Sequence, residues 1–451
     1  MSPDPLVPSG SSKDLDASGG AGAARPGPGS PTRRVVLGSA AGAAVLGLTR
    51  VSSATASSVP GGPDTRHVAY REWSGPQLAV GAFDGTREYV DPFDPTATPA
   101  TYDVATWVSP VVRPGFGLTE LVSSWNADTP GRSWVEVSVR GRSGGVATKE
   151  YVLGRWARYD PADGGGIHRT SLNGQGDTVA TVYTDTLATR SGHTLESWQL
   201  VVRLMRPTGT GQTPRLRSVG AMASALPDAD RVPRSPNGRG CGITLDVPPF
   251  SQERHIGHFP QWDNGGEAWC SPTSTSMVLA YWGAGPRQDE TAWVTEAIPD
   301  ETDPQVDFAA RNVYDYTYDG AGNWPFNAAY AATRPRMRAF VTRLRSLTEA
   351  EEFIAAGIPL VTSVSFKKGE LDGAGYGTNG HLMVVVGFTP EGDVVCNDPA
   401  SHLVRDNGQV RVTYDREQFE NTWVPHSGGI VYVIHPQDHP LPAPPRPERN
   451  W

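Results

Sequence analysis

Cys270-Ser271-Pro272-Thr273-Ser274-Thr275-Ser276-Met277-Val278-Leu279-Ala280-Tyr281-Trp282 decides how the second half of this chain folds. Proline is well tolerated in a first helical turn, small residues follow it, and Gly283, Gly285 and Pro286 close the segment, so the run predicts a helix that starts at a thiol. Unpaired amide N–H groups and the positive end of the dipole lie at such a start and favour thiolate over thiol. Position makes Cys270 a candidate nucleophile, against the commoner fate of a lone cysteine as a small buried apolar side chain.

Downstream, Gly380-His381-Leu382-Met383-Val384-Val385-Val386-Gly387-Phe388 is a histidine leading a continuous apolar run, the pattern of a strand buried on both faces. Thr389-Pro390-Glu391-Gly392-Asp393 has turn chemistry, and Val394-Val395-Cys396-Asn397-Asp398-Pro399 resumes an extended run that proline ends, so the two runs predict a hairpin. A turn centred near Glu391 and Gly392 sets His381 opposite His402 and Asp398 opposite Val385; an earlier centre carries Asp398 toward His381. Either register puts a carboxylate on the strand beside the histidine, where it can orient the imidazole through Nδ1. The plainer alternative is that Asn397-Asp398-Pro399 only caps a strand.

These residues follow one another as Cys, His and Asp at separations of 111 and 17 residues, an order similar to that of papain-like enzymes. Four phrases carry a closer likeness: Val247-Pro248-Pro249-Phe250-Ser251-Gln252, Glu267-Ala268-Trp269-Cys270-Ser271-Pro272-Thr273-Ser274, Gly380-His381 and Asn397-Asp398-Pro399-Ala400. Over residues 244–435 the chain resembles the standalone relatives of the double-glycine leader peptidases, cysteine peptidase family thirty-nine, of an exported actinobacterial type. The resemblance implies an α+β papain-like peptidase domain with Cys270 as nucleophile, His381 as general base and acid, and Asp398 as the orienting residue. It also implies a glutamine in the oxyanion hole. Gln252 sits in the matching phrase but 18 residues before Cys270, and Gln261 is the fallback. A side-chain amide suits that role because it donates to an oxyanion without titrating. The resemblance implies no cofactor.

Unlike the transporter-linked members, this sequence shows no long hydrophobic spans and no Gly-x-x-x-x-Gly-Lys-Ser/Thr phosphate loop, so an ATP-driven peptide exporter is excluded. His255 and His258 are separated by two residues and Cys270 follows, but zinc wants a fuller set of spaced ligands, and no metal is expected.

Thr32-Arg33-Arg34-Val35-Val36-Leu37-Gly38, a short apolar stretch to Leu48 and Ala54-Thr55-Ala56 read as a twin-arginine export signal with a small-residue cleavage site. The expected location is therefore extracellular, with residues 1–56 a disordered leading tract plus signal peptide and no membrane span once they are removed. Removing them takes away five basic and three acidic side chains and deepens the net charge from −9 to −11. An acidic chain without a basic stripe is a poor partner for nucleic acid. The three cysteines allow Cys241 to pair with Cys396, leaving Cys270 over, or all three to stand free.

What remains is more than one core usually serves, and two grammars divide it. Residues 67–226 read as an all-β, sandwich-like module: Ser133-Trp134-Val135-Glu136-Val137-Ser138-Val139-Arg140 alternates, as does Trp198-Gln199-Leu200-Val201-Val202-Arg203-Leu204, with Gly, Asp and Pro between runs. Trp73, Trp107, Trp125, Trp134, Trp156 and Trp198 are expected in its core, with stacking on a cell-wall glycan as the functional alternative. Residues 227–242 read as a linker, 243–436 as the peptidase domain and 437–451 as a loose Pro-rich tail.

Within the second domain, Thr348-Glu349-Ala350-Glu351 reads as a capping box and Ile358–Phe366 as a strand, while Phe340, Leu344 and Leu347 recur at helical spacing. Trp269, Tyr316 and Trp324 are candidate walls of a substrate cleft, and the glycine-rich stretch 373–380 reads as a loop beside it. The function expected is cleavage of a peptide or amide bond in a peptide or protein, with a cell-wall substrate among the candidates. The same three side chains could instead serve transglutaminase-like acyl transfer, and a non-catalytic wall-binding protein is the third reading.

Overall fold

Strands with large alternating side chains must bury one face, and here two sheets bury theirs against each other. In the computed structural model, which describes residues 65–444 and 446–451, the first domain comprises β1 (His67–Ser74), β2 (Gly85–Tyr89), β3 (Ala100–Val108), β4 (Glu120–Asp128), β5 (Trp134–Ser143), β6 (Val146–Ala147), β7 (Tyr151–Trp156), β8 (Ala180–Tyr183), β9 (Thr186–Thr189), β10 (Ser197–Pro207) and β11 (Arg215–Ala225). One sheet runs β1-β11-β4-β9-β8 and the other β2-β3-β10-β5-β6, with β7 on β5. Trp73 of the first sheet meets Trp107 and Trp198 of the second edge-on, at 5.5 and 5.9 Å between ring centroids. All six tryptophans are buried, so none offers an open face for glycan stacking. The export signal read in the sequence lies outside the described residues.

The second domain adds α1 (Cys270–Tyr281), α2 (Gln288–Ala297), α3 (Pro304–Val313), α4 (Trp324–Ala332), β12 (Met337–Arg343), α5 (Leu347–Ala355), β13 (Leu360–Phe366), β14 (Thr378–Phe388), β15 (Val394–Asn397), β16 (Arg411–Tyr414), α6 (Arg416–Ser427) and β17 (Ile430–Pro436). Its antiparallel sheet has the order β12-β17-β13-β14-β15-β16, with α1 packed on β14 and β13. The architecture is thus a mostly-β domain followed by an α+β domain. Among the described residues no helix is long and apolar enough to cross a membrane.

The two domains share apolar core: Phe326 of α4 packs edge-on against Trp125 and Trp156. The edge strand β12 is covered by β4, whose Asn126 amide exchanges hydrogen bonds with the backbone of Ala339 (2.7 and 3.2 Å) and whose Ser124 hydroxyl accepts from Val341 N–H at 2.7 Å. Side chains that satisfy an edge strand's backbone remove its tendency to pair with other chains.

Three expectations need correction. The segment holding Phe340 is strand β12 rather than helix; both its faces are buried, which hides the alternation that would have marked a strand. Helix α5 starts after Ser346 with no side-chain cap, and Thr348 donates its hydroxyl to Pro236 O in the connecting segment instead of capping. The Pro-rich end is not loose: Asn450 donates to Arg343 O at 2.8 Å, Arg345 donates to Glu448, and the Trp451 ring lies 4.8 Å from Phe353. Proline forbids a ladder there, but those three side chains fasten the segment to the core.

Candidate active site

The first turn of α1 is positioned by its neighbours rather than by a capping side chain. Trp269, the residue before it, is wholly buried and donates its indole N–H to Trp262 O at 2.7 Å, which fixes the angle at which the chain enters the helix. Ser271 shares a hydrogen bond with the Tyr432 hydroxyl at 2.9 Å, and Ser274 donates to Leu382 O at 3.0 Å. Because Leu382 follows His381, that last bond locks the helix start against the strand that carries the histidine.

His381 is buried against Asp398, whose Oδ1 lies 2.8 Å from Nε2, and is near enough to Cys270 for the thiol to help raise it. The carboxylate therefore meets Nε2, not Nδ1 as expected from the sequence, and Nδ1 is the nitrogen left for the thiol. Register explains the approach. β14 and β15 do form the hairpin, but Val385 pairs with Cys396 and Val384 with Asn397, so Asp398 stands two positions nearer to His381 than Val385 would place it. The irregularity lies between Val385 and Gly387, where a Cβ on Gly387 would come within 2.3 Å of Ile243 O. His402 does not face His381; it sits in the short turn Ser401–Leu403, and His381 pairs with Val364.

Asp398 is enclosed by donors. Tyr376 donates to both its oxygens at 3.0 and 2.8 Å, Tyr414 to Oδ2 at 2.7 Å, and Ala400 N–H to Oδ1 at 3.0 Å. Burial alone would raise this carboxyl, but the charge and hydrogen bond of His381, followed by the two phenols, hold it below the ordinary range. Burial would likewise depress His381; Asp398 and the Cys270 contact outweigh it and push the imidazole up to about 10.

Of the two glutamines, Gln252 is the one brought to the helix start. It is buried, donates its amide to Glu267 O at 2.7 Å, and its backbone N–H donates to Pro399 O at 2.9 Å beside Asp398. Its Oε1 has no partner. Gln261 is exposed in a turn. The long gap before Cys270 is an excursion containing left-handed Gly257, Phe259, Asp263, Asn264 and Gly265, closed by a bridge between Ile256 and Gly265. Gly266 makes that closure possible, since a Cβ there would sit 2.3–2.5 Å from backbone atoms of His255, Gln252 and Ile256.

The proposed cleft walls fare unevenly. Trp269 is core, not cleft, because its ring is needed to seat the helix. Tyr316 packs on His168 of the first domain at 4.2 Å, so it belongs to the contact between domains. Trp324 is buried at the start of α4, its backbone N–H donating to Asp185 of the first domain at 3.0 Å. Several groups had no signal in the sequence. Tyr318 is raised by burial and by the charges of Asp263, Asp185 and Cys270, so these side chains share one neighbourhood with the thiol. Burial holds Asp185 and Asp263 up at about 6. Glu253 is raised by burial and Glu267 and lowered by His381, and so lies within the field of the imidazole.

All three cysteines are free, Cys241 lying against Glu351 and Cys396 buried, which removes the pairing allowed by the sequence. Cys270 does not join His255 and His258; Glu301 and Asp307 gather there instead.

Residues 62–224 match the Peptidase C39 N-terminal domain, and residues 244–430 match the Peptidase C39 like family. A solved structure, described as a "putative C39-like peptidase" from Bacillus anthracis, is 20% identical, with 43% of this chain and 97% of that chain covered and a TM-score of 0.26. No curated protein matches the chain. The second match supports a cysteine peptidase-type function and a peptide or protein as the class of substrate. With both models matching in order along its length, the chain is a relative of the C39 peptidase family.

Proposed function

We propose that this protein is an exported cysteine peptidase that works through Cys270, His381 and Asp398 and an acyl-enzyme. The observation that carries the reading is the buried imidazole held by a carboxylate near the thiol at the head of α1. A histidine pushed up to about 10 is an imidazolium at neutral pH, the counter-ion that a cysteine thiolate needs.

Cys270 Sγ attacks the scissile carbonyl, and the oxygen that becomes negative is met by the Cys270 backbone N–H and the Gln252 amide. His381 gives its proton to the leaving amine as the C–N bond breaks. The neutral imidazole then takes a proton from water, whose oxygen attacks the thioester carbonyl and expels the Cys270 thiolate, restoring the thiolate–imidazolium pair. Asp398 keeps the ring oriented throughout and stabilises its charged form. Export through the twin-arginine segment at Thr32–Gly38 places this chemistry outside the cell.

Cys270→Ala abolishes hydrolysis of a peptide library together with alkylation by iodoacetamide at mildly acidic pH. Hydrolysis that persists in this variant sinks the mechanism. Supplying an amine acceptor and searching for transfer products by mass spectrometry separates hydrolysis from acyl transfer. Replacing Arg33 and Arg34 together by Lys retains the protein in the cytoplasmic fraction, and undiminished export overturns the assignment of the signal.

A further inference from the structure

His255 and His258 lie on the segment that follows Gln252, and Glu301 and Asp307 lie on the approach to α3 and in its first turns. One ligand atom from each of the four falls within 4.8 Å of every other. Nδ1 of His255 is 2.9 Å from Asp307 Oδ2 and 3.8 Å from Glu301 Oε2; Nδ1 of His258 is 3.0 Å from Asp307 Oδ1 and 3.7 Å from the same Glu301 oxygen. We propose that these four side chains bind a divalent transition metal, zinc by the chemistry of their donors, and that the ion clips the Gln252 loop to α3.

Spacing is the first support. Zinc bonds to nitrogen and oxygen of about 2.0–2.1 Å in a tetrahedron set its ligand atoms roughly 3.3 Å apart, a value that the observed separations bracket. Donor type is the second, because two imidazoles beside two carboxylates suit zinc better than calcium or magnesium, which favour all-oxygen shells.

Charge is the third support. His255 and Asp307 have no exposed surface, and the Glu301 side chain is almost wholly buried. Among the described residues no lysine or arginine forms an ion pair with Glu301 or Asp307; nearby Arg254 is engaged by Asp303 at 3.2 Å and Thr302 at 2.8 Å. Two carboxylates converging in a buried site without a fixed cation are costly. Both imidazoles lie at hydrogen-bond distance of Asp307, but neither Nδ1 comes closer than 3.7 Å to Glu301. The buried Nε2 of His255 has no partner, whether Nδ1 carries a proton or a metal ion. A proton at Nε2 alone turns the Nδ1 lone pair toward Asp307, where only a cation between them makes the contact favourable.

Position gives the ion its consequence. His255 ends the short helix that begins at Gln252, and the excursion beyond it has little regular structure and five left-handed residues. A metal bond to α3 would hold the start of that segment and, through it, the Gln252 amide. This consequence, unlike the binding itself, rests on the peptidase reading.

The full chain carrying Cys270→Ala, which removes the only thiol near His381, is stripped with a chelator, exchanged into metal-free buffer and given zinc chloride or cobalt chloride. One equivalent retained through desalting, a rise in Tm and the visible absorption of four-coordinate cobalt are expected. His258→Gln and Glu301→Gln, each made singly, should weaken binding by at least about tenfold, as loss of even supporting contacts does. Retention of no zinc or cobalt by the folded chain, or binding that both variants leave unchanged, overturns the site. Because Cys270 is absent throughout, failure here is distinct from failure of the peptidase mechanism.

Discussion

Two histidine–carboxylate clusters stand on either side of the Gln252 segment, and they are satisfied in opposite ways. At His381 every acceptor position on the carboxylate that matters is filled by the protein: two phenols, a backbone N–H and the ring itself converge on Asp398. At His255 and His258 two imidazoles face two carboxylates, and among the described residues Asp307 has only imidazoles for hydrogen-bond partners. A closed network fixes a ring for proton transfer, whereas an open one of imidazoles and buried carboxylates invites a cation. Both are buried, so burial alone does not tell a catalytic pair from a metal site; the donor count does.

Breaking the closed network produces the largest effect. Asp398→Asn removes the charge that raises His381 while keeping an amide oxygen as acceptor, and general acid–base groups contribute about 10²–10⁴ in rate, so kcat/KM should fall within that range. The alkaline limb of activity, set near 10 by His381, should move down toward an ordinary imidazole near about 6.5. A pH–rate profile checks both. An unmoved limb would show that His381 owes its charge to something other than Asp398.

The Gln252 segment joins the two clusters, so it sharpens the contrast. Gln252→Ala should lower kcat by about 10²–10³, the usual loss of one oxyanion donor, with KM little changed. It leaves zinc binding intact because no metal donor is altered. Gln261→Ala, at an exposed turn, should leave kcat unchanged and stability within about 0.5 kcal/mol. Steady-state kinetics on the two variants decide between the glutamines, and equal losses would remove Gln252 from the oxyanion hole.

How much of this was legible follows from where each signal is stored. The helix at Cys270 could be read because Pro272 and Gly283 punctuate it locally, and α1 indeed runs Cys270–Tyr281. The hairpin of β14 and β15 was marked by its turn, yet its register slipped by two residues, one at the turn itself and one at the irregularity before Gly387, which depends on Ile243, distant in sequence. Tyr414 reaches Asp398 only because β16 pairs with β15, and Tyr376 only because the glycine-rich loop folds back over the site. No local spacing announces either. Glu301 and Asp307 were invisible for the same reason: the histidines supplied a recognisable pair, but their carboxylates arrive from α3 and the turn before it.

The phenols offer the finest test, because they distinguish the two clusters while every histidine is kept. Tyr376→Phe combined with Tyr414→Phe keeps ring packing but strips three of the hydrogen bonds to Asp398, at a cost of about 1–3 kcal/mol if the buried carboxylate is left short of donors. Asp398 is depressed in the fold, so the stability it contributes is present above the unfolded value of about 3.9 and is lost as pH falls through its folded value. Without the phenols its folded value rises, so the contribution shrinks and is gone at a higher pH. His381 is raised, so its contribution is complete below about 6.5 and disappears as pH climbs through about 10, a limb governed chiefly by the Asp398 charge and therefore little moved. Urea denaturation from pH 3 to pH 10 should show the acid side shifting more than the alkaline side. Equal shifts on both sides would mean that the phenols support the fold generally rather than the carboxylate in particular.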